Sequence, residues 1–169
     1  MKKMKFSIII ATLNNEETIE RNIQSIINQN YNDYEIIIID GTSKDKTIDL
    51  IKKFGIKNLK IKFQKGKGVY NAFNEGILIS SGDIIIILNA DDYFESNNAL
   101  KKISSEFNLD DKISLLMTNI KIINKKNQIL RIYKNNYFKR FMFYFGLMPP
   151  HPGIFVKKKV YENFGCFRE

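Results

Sequence analysis

A chain of 169 residues with 44% apolar side chains and a single cysteine is long enough to bury a core of its own, holds no internal disulfide and is not a disordered tail. Its formal charge of +9 is unevenly spread: residues 1 to 100 hold 13 Lys and Arg against 13 Asp and Glu, and residues 101 to 169 hold 14 against 5. That asymmetry points to an anionic partner, such as a membrane surface, a nucleic acid or a phosphorylated substrate, or else to a solvated lysine-rich face. The lone Cys166 fits a reducing, cytoplasmic compartment, and no apolar stretch approaches the ~20 residues of a bilayer span.

The N-terminal run "KFSIIIA" (5 to 11) follows lysines but is too short for the core of a secretory leader, and it reads as a buried strand. Ile19, Ile23, Ile26 and Ile27 then mark one face of a helix opening near Asn14 or Asn15, with Glu16 and Glu17 in its first turn. "YEIIIID" (34 to 40) is a second strand, and Ile48, Ile51 and Phe54 mark a second helix. "LKIKF" (59 to 63) is a third strand, and Val69, Ala72, Phe73 and Ile77 mark a third helix ending at "SSGD" (80 to 83). "DIIIIL" (83 to 88) is a fourth strand. Continuous β-branched runs of this kind belong to strands buried on both faces.

Alternating strands and helices predict an α/β fold with a mostly parallel sheet covered by helices. Beyond residue 95 the pattern predicts a helix over 96–108, a hairpin of "ISLLMTNIKII" and "QILRIYK" around "NKKN" (124 to 127), and an extension of the same domain.

In such sheets ligands bind outside the carboxyl ends of the strands. That selects Thr12 to Asn14, Asp40 to Ser43 and Asn89 to Asp92. Asn89 and Asp91, two apart, share a face if the chain is extended, and Asp92 follows; together they suit a hard cation such as Mg²⁺ or Mn²⁺, or a turn or helix cap. Asp40 ends a greasy strand before Gly41, with Thr42 and Ser43 as helix caps; its carboxylate suits hydrogen bonds from a base or ribose. In "KGKGVYNAFNEG" (65 to 76), Lys67 and Gly68 stand at a helix start whose backbone N–H groups attract anions. Asn71 and Asn74 share a helix face and reach toward a ligand or toward solvent. His151, the one histidine, lies in a proline-stiffened loop, structural or functional. No nucleophilic triad is placed.

The segments "FSIIIATLNNEETIERNIQSIINQNYNDYEIIIIDGTSKDKTIDLI", "KGKGVYNAFNEGILISSGDIIIILNADDYF" and "HPGIFVKKKVYENFGCFRE" together resemble the inverting, nucleotide-sugar-dependent glycosyltransferases of family 2, which have the GT-A fold. The likeness is nearest to the bacterial subgroup that builds capsules, exopolysaccharide and lipopolysaccharide. It implies one GT-A domain, with residues 1–95 as the nucleotide-sugar half and 96–169 as an incomplete acceptor half. It further implies a donor site of Thr12, Leu13, Asn14, Glu16, Asp40, Gly41, Lys67, Gly68, Asn71, Asn74, Asn89 and Ala90, with a base that is commonly uracil. Asp91 would ligate Mg²⁺ or Mn²⁺, with His151 a further metal candidate.

Inverting transfer needs a carboxylate base. The resemblance places that base beyond Glu169, the end of the chain, with Asp92 or Glu169 itself as substitutes, so the domain is expected to be truncated. The expected partners are a nucleotide-sugar donor and a glycan or lipid-linked acceptor, with peripheral membrane contact through the basic, aromatic stretch 131–145. A non-catalytic nucleotide-sugar-binding fragment is the first alternative. A nucleic-acid-binding module is the second, weakened by the neutral first hundred residues and the lack of a recognition motif.

Overall fold

The computed structural model describes residues 3–135, 139–147 and 151–168, without the side chains of Arg140 and Phe143. Strands β1 (Phe6–Thr12), β2 (Tyr34–Asp40), β3 (Leu59–Phe63), β4 (Ile84–Ile87), β5 (Leu115–Met117) and β8 (Ile154–Lys157) form a six-stranded sheet in the order β3-β2-β1-β4-β8-β5. β1 to β4 are parallel neighbours, and β8 runs antiparallel between β4 and β5. Helices α1 (Ile19–Ile27), α2 (Thr47–Lys53), α3 (Val69–Ile79), α4 (Ala99–Leu109) and α5 (Lys158–Phe164) flank it. The expected mostly parallel α/β sheet is therefore present.

The isoleucine runs divide by pleat. Ile8, Ile10, Ile36, Ile38, Ile84 and Ile86 join the α1, α2 and α4 side with Ile23, Ile51 and Phe107, whereas Ile9, Ile37, Ile39, Ile85 and Ile87 meet Ala72, Phe73 and Ile77 of α3. A strand covered on both faces needs apolar residues at every position, which is why these runs do not alternate. α3 comes unusually close: a Cβ at Gly76 would stand 2.4 Å from Cγ2 of Ile9.

The amino ends of the strands are tied by a buried polar knot. Glu35 accepts hydrogen bonds from the Ser7 hydroxyl (2.6 Å) and from the Ser81 N–H and hydroxyl (2.6 and 2.9 Å), and pairs with Lys60 Nζ at 2.7 Å. Burial pushes its carboxyl up, but the Lys60 ammonium and these donors outweigh it and hold the pKa down at about 2.

Two expectations change. The first helix opens at Ile19 rather than near Asn14 or Asn15, because Asn14 takes φ 54° and Asn15 turns the chain, its carbonyl accepting the N–H groups of Thr18 and Ile19. The long strand "ISLLMTNIKII" breaks at Thr118–Asn119. Its first part is β5 in the large sheet; its second, β6 (Ile120–Ile123), pairs with β7 (Ile129–Tyr133) in a separate hairpin. Thr118 donates its N–H to the Gly153 carbonyl at 2.8 Å, a contact that fixes the corner. No helix among the described residues is long and apolar enough to cross a membrane.

Candidate functional site

The order β3-β2-β1-β4 reverses direction between β1 and β4, and a crevice opens at such a switch point beyond the strands' carboxyl ends. Thr12 and Asp40 end β1 and β2 as register partners, and Gly41 donates its N–H to the Thr12 carbonyl at 2.8 Å. Asp40 is fully buried; one oxygen accepts the N–H groups of Thr42 (3.0 Å) and Ser43 (2.9 Å), and the other accepts the Ser43 hydroxyl. This turn explains why a carboxylate ends the strand. It also holds Thr42 at φ 73°, a conformation that a β-branched residue adopts only under constraint.

The loops after β1 and β2 are laced to each other. The N–H groups of Asn14, Asn15 and Glu16 donate to Ser43 Oγ (2.9 Å), Thr47 Oγ1 (2.8 Å) and Asp45 Oδ2 (3.0 Å). In return Lys44 and Lys46 donate their N–H groups to Asn14 Oδ1 (2.8 Å) and Glu16 Oε2 (2.9 Å). Leu13 stays exposed beside Gly41, and Thr12 is buried with its hydroxyl donated to Asn15 Oδ1. Thr12, Leu13, Asn14, Glu16, Asp40 and Gly41 are thus brought together on one rim.

After β4 the chain does not stay extended, so Asn89 and Asp91 are not on a common strand face. Asp92 donates its N–H to the Asn89 carbonyl (3.0 Å), and Asn89 Nδ2 donates to Asp92 Oδ2 (2.9 Å), closing a turn with Ala90 buried and Asp91 exposed. Burial, then the Asp91 charge, pushes the Asp92 carboxyl above its ordinary range against the Asn89 hydrogen bonds.

The turn is fastened by Asn22. Its buried Nδ2 donates to the carbonyls of Asn89 and Asp92, both at 2.8 Å, while its Oδ1 has no hydrogen-bond partner among the described residues. Sequence reading missed Asn22. The signal was weak: at 100° per residue, Asn22 falls about 40° beyond Ile26, at the edge of the apolar arc of Ile19, Ile23 and Ile26.

Ahead of α3, the N–H groups of Lys65 and Gly66 donate to Glu75 Oε1 (2.8 and 3.2 Å). Gly68 takes φ 85°, its carbonyl accepting from Gln64 Nε2 at 2.8 Å, and Lys67 is exposed beside it. Asn71 is half-buried, so near Gly66 that a Cβ there would stand 2.3 Å from the Asn71 amide. Asn74, expected to face a ligand, is a correction: it is buried, donating from Nδ2 to the Phe167 carbonyl and accepting the Phe167 N–H, both at 2.9 Å. It clasps the "GCFRE" segment to α3, and a buried amide so engaged does not face solvent.

His151 stands among Tyr70, Phe73 and Phe167, with ring centroids 6.2, 6.4 and 5.8 Å away. The His151, Tyr70 and Phe167 rings edge a mostly apolar cleft of about 460 Å³ that Ile87, Ile154, Val156 and Val160 also line. Among the described residues no three His, Cys, Asp or Glu side chains form a metal-binding group. Glu169 lies outside the described residues.

The sequence profile described as "Glycosyl transferase family 2" matches residues 7–164. The chain belongs to this family. The family 2 domain is 46% identical over 98 residues to the Methanococcus voltae "Dolichyl N-acetyl-alpha-D-glucosaminyl phosphate 3-beta-D-2,3-diacetamido-2,3-dideoxy-beta-D-glucuronosyltransferase", covering 54% of this chain and 30% of that protein. It is 31% identical over 133 residues to the Staphylococcus aureus "Poly-beta-1,6-N-acetyl-D-glucosamine synthase", covering 78% of this chain and 32% of that protein. The chain thus spans about a third of the length of these curated relatives.

Among solved structures, S. aureus TarS 1-349 in complex with UDP-GlcNAc superposes with a TM-score of 0.79 at 19% identity, over 95% of this chain and 47% of that one. The mannosyltransferase PcManGT from Pyrobaculum calidifontis, in complex with GDP-Man and Mn²⁺, superposes with a TM-score of 0.71 at 16% identity, over 99% and 48%. These superpositions show the GT-A fold, and the family match over residues 7–164 makes it a glycosyltransferase family 2 domain.

Proposed function

We propose that this domain binds a nucleoside diphosphate sugar at the switch point between β1 and β4. As part of a family 2 enzyme it would transfer the sugar, with inversion, to a glycan or lipid-linked hydroxyl in cell-surface polysaccharide biosynthesis. The observation that carries this reading is the juxtaposition at one sheet end of two laced loops and an acidic turn. The nucleoside would lie along Thr12, Leu13, Asn14 and Gly41, with UDP the first choice. A ring N–H of the base would reach the buried Asp40 beside, or in place of, the Ser43 hydroxyl that now donates to Oδ1.

The residues present fit a divalent cation of the Mg²⁺ or Mn²⁺ type, which commonly takes one or two carboxylates and completes its shell with substrate phosphates. Asp91 offers an exposed carboxylate beside the partly buried Asp92, and the absence of a larger ligand cluster among the described residues suits an ion held jointly with the donor. When bound, the ion would offset the charge that develops on the departing diphosphate. Within the chain, Asn22 fixes the turn and Asn89 braces Asp92, leaving Asp91 as the outward ligand. Asp92, held by Asn89, closes the turn, and residues 1–95 would form the donor half.

Calorimetric titration with UDP, with and without Mn²⁺, tests this on the wild-type chain and on Asp91→Ala. Metal-dependent binding lost in the variant is expected. Absence of binding by UDP, GDP and dTDP, or binding indifferent to Asp91→Ala, would overturn it.

A further inference from the structure

We infer that the β6–β7 hairpin and the short 3-10 segment Arg140–Phe145 form a docking surface for an anionic lipid bilayer. This does not rest on the donor reading. From Lys112 to Tyr161 the chain contains no Asp or Glu. Within that span Lys126, Arg131 and Lys134 are exposed cations of the hairpin, and Arg131 lies 4.4 Å from the centroid of the Tyr133 ring. Lys121 and Lys125 reach instead to Glu95 and Glu17, pinning the hairpin to the loops around the carboxyl end of the sheet.

The hairpin and the 3-10 segment also expose large apolar side chains. Leu130 is 64% exposed and Ile132 46% on the hairpin, and Tyr144 and Phe145 are 85% and 75% exposed on the 3-10 segment. A two-stranded hairpin does not bury enough surface to be stable alone, so side chains of this size need a neighbour.

Both ends of the intervening chain are tethered at one corner: Asn135 hydrogen-bonds Asn119 and Thr118, and Gly153 accepts the Thr118 N–H. Because β8 is antiparallel to β4 and starts at Ile154 beyond the Ile86–Phe155 pair, that corner lies at the same sheet end as the Asn89–Asp92 turn.

Cations interleaved with aliphatic and aromatic side chains are the composition that settles at a negatively charged membrane interface. A nucleic acid would engage the cations but would have no use for Leu130, Tyr144 and Phe145. A second copy docking face to face would set the exposed cations Lys126, Arg131 and Lys134 against their own counterparts. A bilayer satisfies both halves of the surface, and it would turn the carboxyl end of the sheet toward any acceptor carried on lipid.

Sedimentation with vesicles provides the test, using phosphatidylcholine alone and phosphatidylcholine mixed with phosphatidylglycerol. The chain is expected to bind only the anionic vesicles, and less so as salt is raised. Lys126→Glu with Lys134→Glu should weaken binding at least tenfold, since each surface cation is worth roughly fivefold. Tyr144→Ser with Phe145→Ser should weaken it similarly without changing the melting temperature or UDP titration. Equal binding to both vesicle types, or unchanged binding by both variants, would overturn the inference. So would vesicle-free self-association abolished by Tyr144→Ser with Phe145→Ser, which would assign the surface to a second copy.

Discussion

Replacing Asn22 by Ala should separate the stability of the domain from the geometry of its acidic turn. The substitution deletes two hydrogen bonds, each 2.8 Å, from a buried Nδ2 to the Asn89 and Asp92 carbonyls. At about 1 kcal/mol each they contribute ~2 kcal/mol. The substitution also deletes Oδ1, a buried acceptor without a partner, whose desolvation already costs about 1 kcal/mol. The net loss is therefore only about 1–2 kcal/mol. For a domain of this size that corresponds to a fall in Tm of roughly 2–8 °C.

The turn should suffer more than the fold, because Asn22 is a side-chain link between α1 and the segment that carries Asp91. Thermal denaturation followed by circular dichroism, paired with UDP titration in Mn²⁺ on the folded variant, measures both quantities. The expected result is a modest Tm decrease with a UDP affinity reduced tenfold or more. Unchanged affinity in a variant whose Tm has dropped would refute the reasoning, since the turn would then hold its shape without Asn22.

Two further outcomes follow from the fold. Glu35 is held at a pKa of about 2 against an ordinary value of 4.5, so the stability from its ion pair is complete above about pH 4.5 and disappears as pH falls toward 2. Melting temperatures measured across this window should fall more steeply for wild type than for Glu35→Gln, which should be less stable at pH 7; parallel curves would argue against the knot. Gly76→Ala places a Cβ 2.4 Å from Ile9 in the core and should cost about 1–3 kcal/mol by overpacking, read as a lower denaturant midpoint. A midpoint equal to wild type would mean that α3 can move off the sheet freely.

Much of the fold was legible because its strands are buried on both faces. A run such as Ile36 to Ile39 admits few other readings, and the helices between such runs force parallel neighbours. The break at Thr118–Asn119 was not legible. Leu115 to Met117 and Ile120 to Ile123 have the same local preference, and only the distant contact with Gly153 decides where one sheet ends and the hairpin begins.

In the candidate site the strand-end rule selects segments that the structure brings to one sheet end, while individual contacts differ from expectation. Asp40 was singled out because capping by Thr42 and Ser43 left its own position unexplained; the structure shows it to be the acceptor that organises both. Asn74 was misassigned because helical spacing gives a residue's face but not what covers it, and here that is Phe167, far along the chain. Asn22 is hard to read because it stands at the edge of the isoleucine face, where spacing does not decide between burial and solvent; the structure buries it, and a buried amide must find partners.

The lacing between the loops after β1 and β2 bears on engineering. Asn14 and Glu16 each exchange bonds with residues some thirty positions away, so neither loop holds its shape by its own sequence. An attempt to retune this rim by grafting residues 13–18 from a relative would strand the acceptors and donors of residues 43–47. The two segments form one heritable cassette: variation that alters the pocket has to arrive in both, and a library that randomises either alone will mostly sample misfolded rims.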